Sequence, residues 1–194
     1  MTTVYTSEAR VWVTSDLHLG HDKPFIWEAR GFNSVQEMNQ TIIKNLQEII
    51  TEPTDELYIC GDVTLGEIDR ELLQQIPGLV HIILGNHDTD ARTQVYKDLG
   101  WEVSFGERIK YKYTDGDKKE QMSFLLTHYP TLTANPGDMP NQCIVNISGH
   151  THSPQKWKPE YPFIYNVACD ANNCSPVSLL DIANFMKEKI ISVQ

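Results

Sequence analysis

Four apolar segments of this chain end abruptly in histidine, aspartate or asparagine, and this pattern constrains the fold more than any other. The clearest segment is HIILGNHD at residues 81–88, and the others end in DLH at 16–18, GD at 61–62 and GHTH at 149–152. Strands of an α/β sheet deliver their C-terminal loops to a crevice where ligands bind. An ordinary turn, with Gly85 at positive φ and Asn86 or Asp88 as a helix cap, would explain one such end. It does not explain four, so the pattern predicts a shared site at the strand ends.

The composition limits the class of protein and its partners. A length of 194 residues fits one domain spanning residues 1–194, and 40% hydrophobic with 22% charged residues is typical of a soluble globular protein. The net charge of −10 disfavours binding to long nucleic acids, because their backbones are normally contacted by a basic surface. The oligomeric state is left open.

The sequence also bears on the compartment. The N-terminus lacks a basic region followed by an apolar core, and no apolar run approaches the ~20 residues of a membrane span, so we expect a cytoplasmic protein without a membrane partner. The four cysteines have neither C-x-x-C nor zinc-ribbon spacing and are expected to be reduced and structural: Cys60, Cys143, Cys169 and Cys174.

The first half of the chain alternates between strands and helices, which predicts a layered α/β fold. The clearest helix covers residues 34–50, where Ser34 and Glu37 form a capping box and apolar residues recur at helical spacing as far as Ile50. The other elements predicted in this half are strands at 10–15, 57–60 and 79–84 and helices at 69–75 and 89–99.

After Trp101 the pattern changes to strands. Residues 109–113 and 122–127 flank a Thr-Asp-Gly-Asp turn and predict a hairpin. Loops 129–142 and 153–165 flank the expected site and should decide which substrate enters it. The remaining predicted strands are 143–148, 165–168, 177–182 and 190–193.

The polar groups at the strand ends have the chemistry of metal ligands. They comprise two carboxylates, an amide and several imidazoles without a thiolate, a set that suits Mn, Fe, Zn, Co or Ni better than Mg or Ca. Seven ligands exceed the needs of one tetrahedral ion and suit two ions that share a bridging carboxylate. Two such ions, ~3.5–4 Å apart, promote in-line displacement at phosphorus. The groups are Asp16, His18, Asp62, Asn86, His87, His128, His150 and His152.

These motifs, in this order across residues 16–152, resemble the calcineurin-like metallophosphoesterase superfamily, and the small bacterial and phage members in particular. The resemblance implies a four-layer αββα sandwich of two mixed sheets flanked by helices. It implies that Asp62 bridges two metal ions and that His87 faces the leaving-group oxygen as proton donor or charge stabiliser. The remaining ligands would be Asp16, His18 and His152 for the first ion and Asn86, His128 and His150 for the second.

The resemblance also implies a reaction. A hydroxide that bridges the ions would attack phosphorus, with manganese the favoured metal and Fe, Zn, Ni or Co as alternatives. We expect a phosphodiesterase rather than a phosphomonoesterase, acting on a small phosphoester such as a nucleotide or cyclic nucleotide. The alternatives are a nuclease acting on short or single-stranded ends and a non-catalytic scaffold that keeps this fold for protein binding.

The sequence lacks one motif of the larger family members and has two further candidate substrate contacts. The run at residues 61–66 is GDVTLG, so it lacks the Asp-Arg-Gly with which Ser/Thr protein phosphatases support the catalytic histidine and grip phosphate. A protein phosphatase activity is therefore not expected. Beside Asn86 and His87, the candidate substrate contacts are His21, an additional histidine after the first motif, and Arg30, for which a solvated position is the simpler interpretation.

Overall fold

The computed structural model describes residues 2–133 and 144–192. The helices in this part of the chain are α1 (Pro24–Trp27), α2 (Val35–Ile49), α3 (Arg70–Leu73), α4 (Asp90–Asp98) and α5 (Leu179–Ser192). The strands are β1 (Thr2–Thr6), β2 (Val11–Thr14), β3 (Glu56–Ile59), β4 (Leu79–Ile83), β5 (Glu102–Ser104), β6 (Glu107–Asp115), β7 (Lys118–Leu126), β8 (Ile144–Ser148), β9 (Ile164–Asn166) and β10 (Val177–Ser178).

The strands form two mixed sheets of five strands each. Sheet I has the order β1-β6-β7-β8-β9 and sheet II the order β10-β2-β3-β4-β5. In sheet I the β6–β7 hairpin is antiparallel and the other pairs are parallel. In sheet II only β10 runs against its neighbour. The predicted α/β fold of two mixed sheets with flanking helices is confirmed.

Alternating side chains of sheet II serve two separate cores, as the twofold period of a strand requires. Leu57 and Ile59 of β3 pack with α2, α3 and α4 on the outer face. Tyr58 and Cys60 pack on the inner face against sheet I and α5. A strand buried on both faces reads as a continuous apolar run, which explains why these segments contrast so sharply with the polar residues that follow them.

The predicted helix starts are observed. Ser34 Oγ accepts a hydrogen bond from the Glu37 backbone N–H at 3.1 Å, while Glu37 accepts in return from the backbone of Asn33. Asp69 caps α3 through Leu72 N–H, and Gly100 follows α4 with φ of 83°. No helix in the described residues is long and apolar enough to cross a membrane.

Two strand predictions near the C-terminus are wrong. Of the strand expected at 177–182, only Val177 and Ser178 are extended, and residues 179–192, which include the described part of the strand expected at 190–193, form α5. The buried residues recur at helical spacing and make one face of the helix: Leu179, Ile182, Ala183, Met186 and Ile190. The prediction gave more weight to the β-branched residues than to this period.

Other differences are smaller. Strands β1 and β5 and helix α1 were not predicted; β1 lies at the edge of sheet I and pairs only with β6 in the described chain. The strand expected at 165–168 is observed at Ile164–Asn166. Cys60, Cys169 and Cys174 are free thiols, whereas Cys143 and residues 134–142 of the first flanking loop lie outside the described residues.

Candidate metal centre

Each polar motif follows the C-terminal end of a strand. In sheet II the ends of β2, β3 and β4 lead to Asp16, Asp62 and Asn86. In sheet I the ends of the parallel strands β7 and β8 lead to His128 and His150. Because the inner faces of the two sheets pack together, these five loops meet at one edge of the molecule.

The first group of donors is formed by Asp16, His18 and His152. The Nε2 atoms of His18 and His152 are 3.2 Å apart. Asp16 Oδ1 lies 3.9 Å from His18 Nε2 and 3.8 Å from His152 Nε2. The three ligand atoms can thus surround one ion.

The second group is formed by Asn86, His128 and His150. Asn86 Oδ1 lies 2.8 Å from His128 Nε2 and 3.0 Å from His150 Nδ1, and the two ring nitrogens are 3.2 Å apart. His128 Nδ1 donates to the backbone carbonyl of Cys60 at 2.9 Å, so Nε2 of a neutral ring carries the lone pair. At these separations the three atoms can be neighbouring ligands of one ion.

Asp62 connects the two groups through one oxygen. Its Oδ2 is 3.7 Å from His18 Nε2 and 3.6 Å from His128 Nε2. Its other oxygen, Oδ1, accepts a hydrogen bond from the His87 backbone N–H at 2.9 Å. Because Oδ1 is engaged by the backbone, Oδ2 is left to face both donor groups, which is the geometry that a bridging carboxylate requires.

Glycine is required where the loops approach each other most closely. A Cβ on Gly149 would overlap the Asp16 carboxylate and the Ser15 side chain, and a Cβ on Gly85 would overlap the Asp62 carboxylate. A Cβ on Gly61 would lie 2.7 Å from the Gly85 Cα. The ordinary-turn alternative, with Gly85 at positive φ, does not apply: Gly85 is absent from the positive-φ glycines of the described chain, and it is close approach that demands glycine there.

The backbone is strained at the ligands themselves. Residues with positive φ outside glycine are uncommon and cost about 1–3 kcal/mol each. Five of the seven expected ligands adopt such a conformation: Asp16 (56°), His18 (50°), Asp62 (54°), His150 (68°) and His152 (49°). Strain of this kind persists only where the surrounding structure imposes it, and it is concentrated here at one site.

The donor set fits divalent metal ions. Asp16 is fully buried; its Oδ2 accepts from Ser15 Oγ at 2.7 Å and from His150 N–H at 2.9 Å. Its Oδ1, turned toward His18 and His152, has no hydrogen-bond partner among the described residues. A buried carboxylate oxygen without a partner is costly, and a cation held by the converging lone pairs would satisfy it.

A second layer of residues orients His152. Its Nδ1 donates to Asp170 Oδ2 at 2.9 Å, leaving Nε2 to face the first donor group. Asp170 is held by a bidentate contact with Arg30, from Nε at 3.2 Å and from a terminal nitrogen at 3.0 Å. Burial alone would raise the pKa of Asp170, but the hydrogen bonds from His152 and Arg30 outweigh it and hold the pKa well below its usual range.

The pKa shifts of the histidines favour metal binding near neutral pH. Burial, followed by the neighbouring His152, lowers the pKa of His18 to about 2. Burial also lowers the pKa of His150, so both rings are neutral and have a lone pair to donate. The hydrogen bond to Asp170 instead raises the pKa of His152, which makes that ring the more basic ligand.

We predict that Asp170→Asn weakens metal binding about 10- to 100-fold, the usual effect of losing a carboxylate that orients a ligating histidine. Calorimetric titration of chelator-stripped protein with Mn²⁺ measures the change. Asp117→Asn, at the exposed tip of the β6–β7 hairpin, is the matched control and should bind as the wild type does. Equal affinity in the Asp170 variant would show that His152 needs no such partner.

Asp88 joins the loops that carry Asp62 and Asn86. Its Oδ2 accepts from the backbone N–H groups of Asp62 at 2.9 Å and Gly85 at 2.8 Å. Its Oδ1 accepts from Val63 N–H at 3.3 Å and from the Tyr96 hydroxyl at 2.9 Å. The alternative interpretation of Asp88 as a helix cap is therefore wrong, since Thr89 occupies the N-cap of α4.

His87 and His21 lie at the open side of the centre. The His87 side chain is 42% exposed, and its Nε2 is 3.9 Å from Asp62 Oδ2. His21 packs beside His18, with ring centroids 5.5 Å apart, and also contacts the ring of Phe25. Both are placed where a substrate could reach them, and their roles stay predictions.

Arg30 has a different place from the one expected. The solvated interpretation is wrong, because the side chain is 2% exposed. Besides Asp170, it donates to the backbone carbonyls of Asp16 at 2.7 Å and Leu17 at 3.1 Å. All three guanidinium nitrogens are thus used inside the protein and support the loop that carries Asp16 and His18. A substrate contact by Arg30 stays a prediction, which these contacts do not favour.

Comparison with known proteins agrees with this geometry. The family model of the calcineurin-like phosphoesterase superfamily domain matches residues 10–166, which include every motif described above. The chain belongs to the calcineurin-like phosphoesterase superfamily. Members of this superfamily are in general phosphoester hydrolases, and the predicted family is confirmed.

Three individual proteins resemble most of this chain. An uncharacterized protein of Methanocaldococcus jannaschii is 30% identical over 186 residues, which cover 89% of each chain. The Gene 66 protein of Mycobacterium phage D29 is 27% identical over 167 residues, 75% of this chain and 79% of the phage protein. The crystal structure of a protein of unknown function from Aquifex aeolicus shares the fold, with a TM-score of 0.61 at 22% identity, over 91% of this chain and 99% of its own.

Proposed function

We propose that this calcineurin-like phosphoesterase is a two-metal phosphodiesterase that hydrolyses a small phosphodiester. The observation that carries the proposal is the position of Asp62 Oδ2, within 3.7 Å of ligand atoms in both donor groups. Asp16, His18 and His152 would hold one ion, and Asn86, His128 and His150 the other. When bound, two such ions polarise the phosphoryl oxygens and lower the pKa of water.

The chain's own residues prepare the site for this chemistry. Asp88 and the glycines hold the ligand loops at a fixed separation, so that the donors need no rearrangement to accept a substrate. Preorganisation of this kind stabilises charge that develops during reaction. The open side of the centre is occupied by His87, whose exposed ring can reach a leaving-group oxygen and donate a proton to it.

The charge around the centre favours a diester over a monoester. A monoester dianion needs more positive charge than a diester monoanion. Arg30 does not supply it, because its guanidinium is buried against Asp170 and backbone carbonyls. Residues 61–66 also lack the Asp-Arg-Gly with which the protein phosphatases grip phosphate. Manganese is the metal that we propose, from the mixture of carboxylate, amide and imidazole donors.

The proposal is tested by comparing bis(p-nitrophenyl) phosphate with p-nitrophenyl phosphate, using chelator-stripped protein reloaded with Mn²⁺, Ni²⁺, Zn²⁺ or Mg²⁺. We expect metal-dependent turnover with the diester preferred. His87→Ala should lower kcat about 10²- to 10⁴-fold, the range of a lost general acid, while it keeps the metal content of the wild type. His81→Ala, at a histidine paired with Glu56 and Glu102, is the control.

Two results would contradict the proposal. A preference for the monoester would refute the diesterase assignment. A metal-loaded protein that turns over neither substrate, nor nucleotide diesters, would favour the scaffold alternative, and His87→Ala would then be indistinguishable from the wild type.

A further inference from the structure

A cavity opens beside the second donor group and continues away from the metal centre. Its volume is about 460 Å³, and it extends along α4, from Asp90 to Lys97, and the β5–β6 turn. Gly85 and Tyr129, which line it, are the immediate chain neighbours of the ligands Asn86 and His128. The cavity therefore borders the loops that carry these two expected ligands.

Two exposed aromatic rings stand at this cavity. Tyr129 is 51% exposed and Phe105 is 86% exposed, and both line its walls. The Tyr129 ring also packs on the rings of His150 and His128, with centroids 4.5 and 5.1 Å away. Single exposed apolar residues are ordinary, but two rings at one cavity, one of them packed on two expected metal ligands, make a surface on which a planar group can stack.

The remaining walls combine an apolar floor with a polar rim. Leu84 and Val103 contribute apolar surface, and Thr93 and Ser104 contribute hydroxyl groups. The charged residues of the lining are Asp88, Asp90 and Lys97. The Asp88 carboxylate is already held by three backbone N–H groups and the Tyr96 hydroxyl, and the remaining two charges, on Asp90 and Lys97 of α4, are of opposite sign. The lining suits a flat, neutral aromatic group whose edges form hydrogen bonds, which is the chemistry of a nucleobase.

We propose that this cavity binds the nucleobase of a nucleotide diester, stacked on Phe105 and Tyr129, while the phosphate lies at the metal centre. This inference rests on the proposed function and specifies its substrate class. It assigns Phe105 and Tyr129 to specificity: Phe105 bears no reactive group, and Tyr129→Phe tests whether the Tyr129 hydroxyl contributes to the displacement at phosphorus.

Two substrates with the same leaving group isolate this effect: the p-nitrophenyl ester of thymidine 5′-monophosphate and methyl p-nitrophenyl phosphate. Both are diesters that release p-nitrophenolate, and only the first carries a base. We expect the wild type to prefer the thymidine ester. In Phe105→Ala and Tyr129→Leu the ratio of kcat/KM between the two esters should fall about 5- to 100-fold, the range of a lost base–aromatic stack, mainly through KM.

Controls separate stacking from damage to the centre. Tyr129→Phe keeps the ring and should keep the ratio. Leu79→Ala removes an apolar side chain of similar exposure, 49%, at the opposite end of β4, and should change neither activity. Calorimetric titration with thymidine 5′-monophosphate and with methyl phosphate compares the two affinities without turnover. The preference for the nucleotide should be lost in Phe105→Ala and Tyr129→Leu.

The outcomes distinguish this inference from the proposed function. An unchanged ratio in both ring variants, with turnover intact, would overturn the nucleobase assignment and leave the phosphodiesterase standing. An equal loss on both esters would also overturn it, because the cavity would then hold the p-nitrophenyl group. Absence of turnover on both esters with every metal would refute the proposed phosphodiesterase activity. The calorimetric binding of thymidine 5′-monophosphate would then be the measurement that shows whether the cavity binds a nucleobase.

Discussion

Asp62→Asn should lower the diesterase activity by about a thousandfold or more. Asparagine keeps the shape of the side chain and still accepts the hydrogen bond from His87 N–H through one oxygen. It replaces the oxygen that faces both donor groups by an NH₂ group, which cannot ligate a cation. The kinetics should be accompanied by loss of one of the two bound ions, measured by elemental analysis.

The fold should survive this substitution, because Asp62 is held near the Asp16 carboxylate and losing one of two buried acids removes a source of repulsion. Thermal unfolding of the metal-free variant should therefore show a Tm no lower than that of the wild type. Asp98→Asn, at an exposed acid of α4 that pairs with Arg70, is the control for loss of a carboxylate elsewhere. An Asp62→Asn enzyme with two ions and wild-type kcat would refute the bridging role.

Asp88→Ala should cost about 3–5 kcal/mol of unfolding free energy, the effect of removing one partner from a buried charged network. The substitution leaves three backbone N–H groups, of Asp62, Val63 and Gly85, without their acceptor, together with the Tyr96 hydroxyl. Each unsatisfied group costs about 1–3 kcal/mol when it stays buried. Urea unfolding of the metal-free protein measures the change without contributions from metal binding.

Two variants calibrate the Asp88 experiment. Tyr96→Phe removes only the hydroxyl and should cost about 1 kcal/mol. Asp90→Asn alters an exposed acid at the first turn of α4 and should change the stability by less than about 0.5 kcal/mol. If Asp88→Ala were as mild as Asp90→Asn, the two ligand loops would be held by other contacts.

The parts of this protein that could be predicted from the sequence are those encoded locally. The buried strands of sheet II are apolar on both faces, so each run and its polar end are visible in the residues themselves. Helix α2 carries its start signal in Ser34 and Glu37. The ligand types could be collected because each follows a strand end, and the family resemblance supplied the grouping that local patterns leave open.

The supporting residues could not be found in this way. Asp170 lies 18 positions from His152 and 140 from Arg30, and its role exists only once β9 has brought the following turn against the ligand loops. A helix cap was one alternative for Asp88, because the partners that join it to the other ligand loop, the N–H groups of residues 62 and 63, are distant in sequence. Arg30 looked solvated for the same reason. Helix α5 was different: its signal was present in the spacing from Leu179 to Ile190.

The central claim is that two metal ions share Asp62, and Mn²⁺ titration followed by electron paramagnetic resonance tests it most directly. Chelator-stripped protein should bind two Mn²⁺ per chain, and the spectrum should change from isolated to exchange-coupled ions as the second site fills. Asp62→Asn should lose that coupling. Saturation at one Mn²⁺ per chain, or two ions with the spectra of isolated centres, would contradict the shared carboxylate and with it the two-metal account.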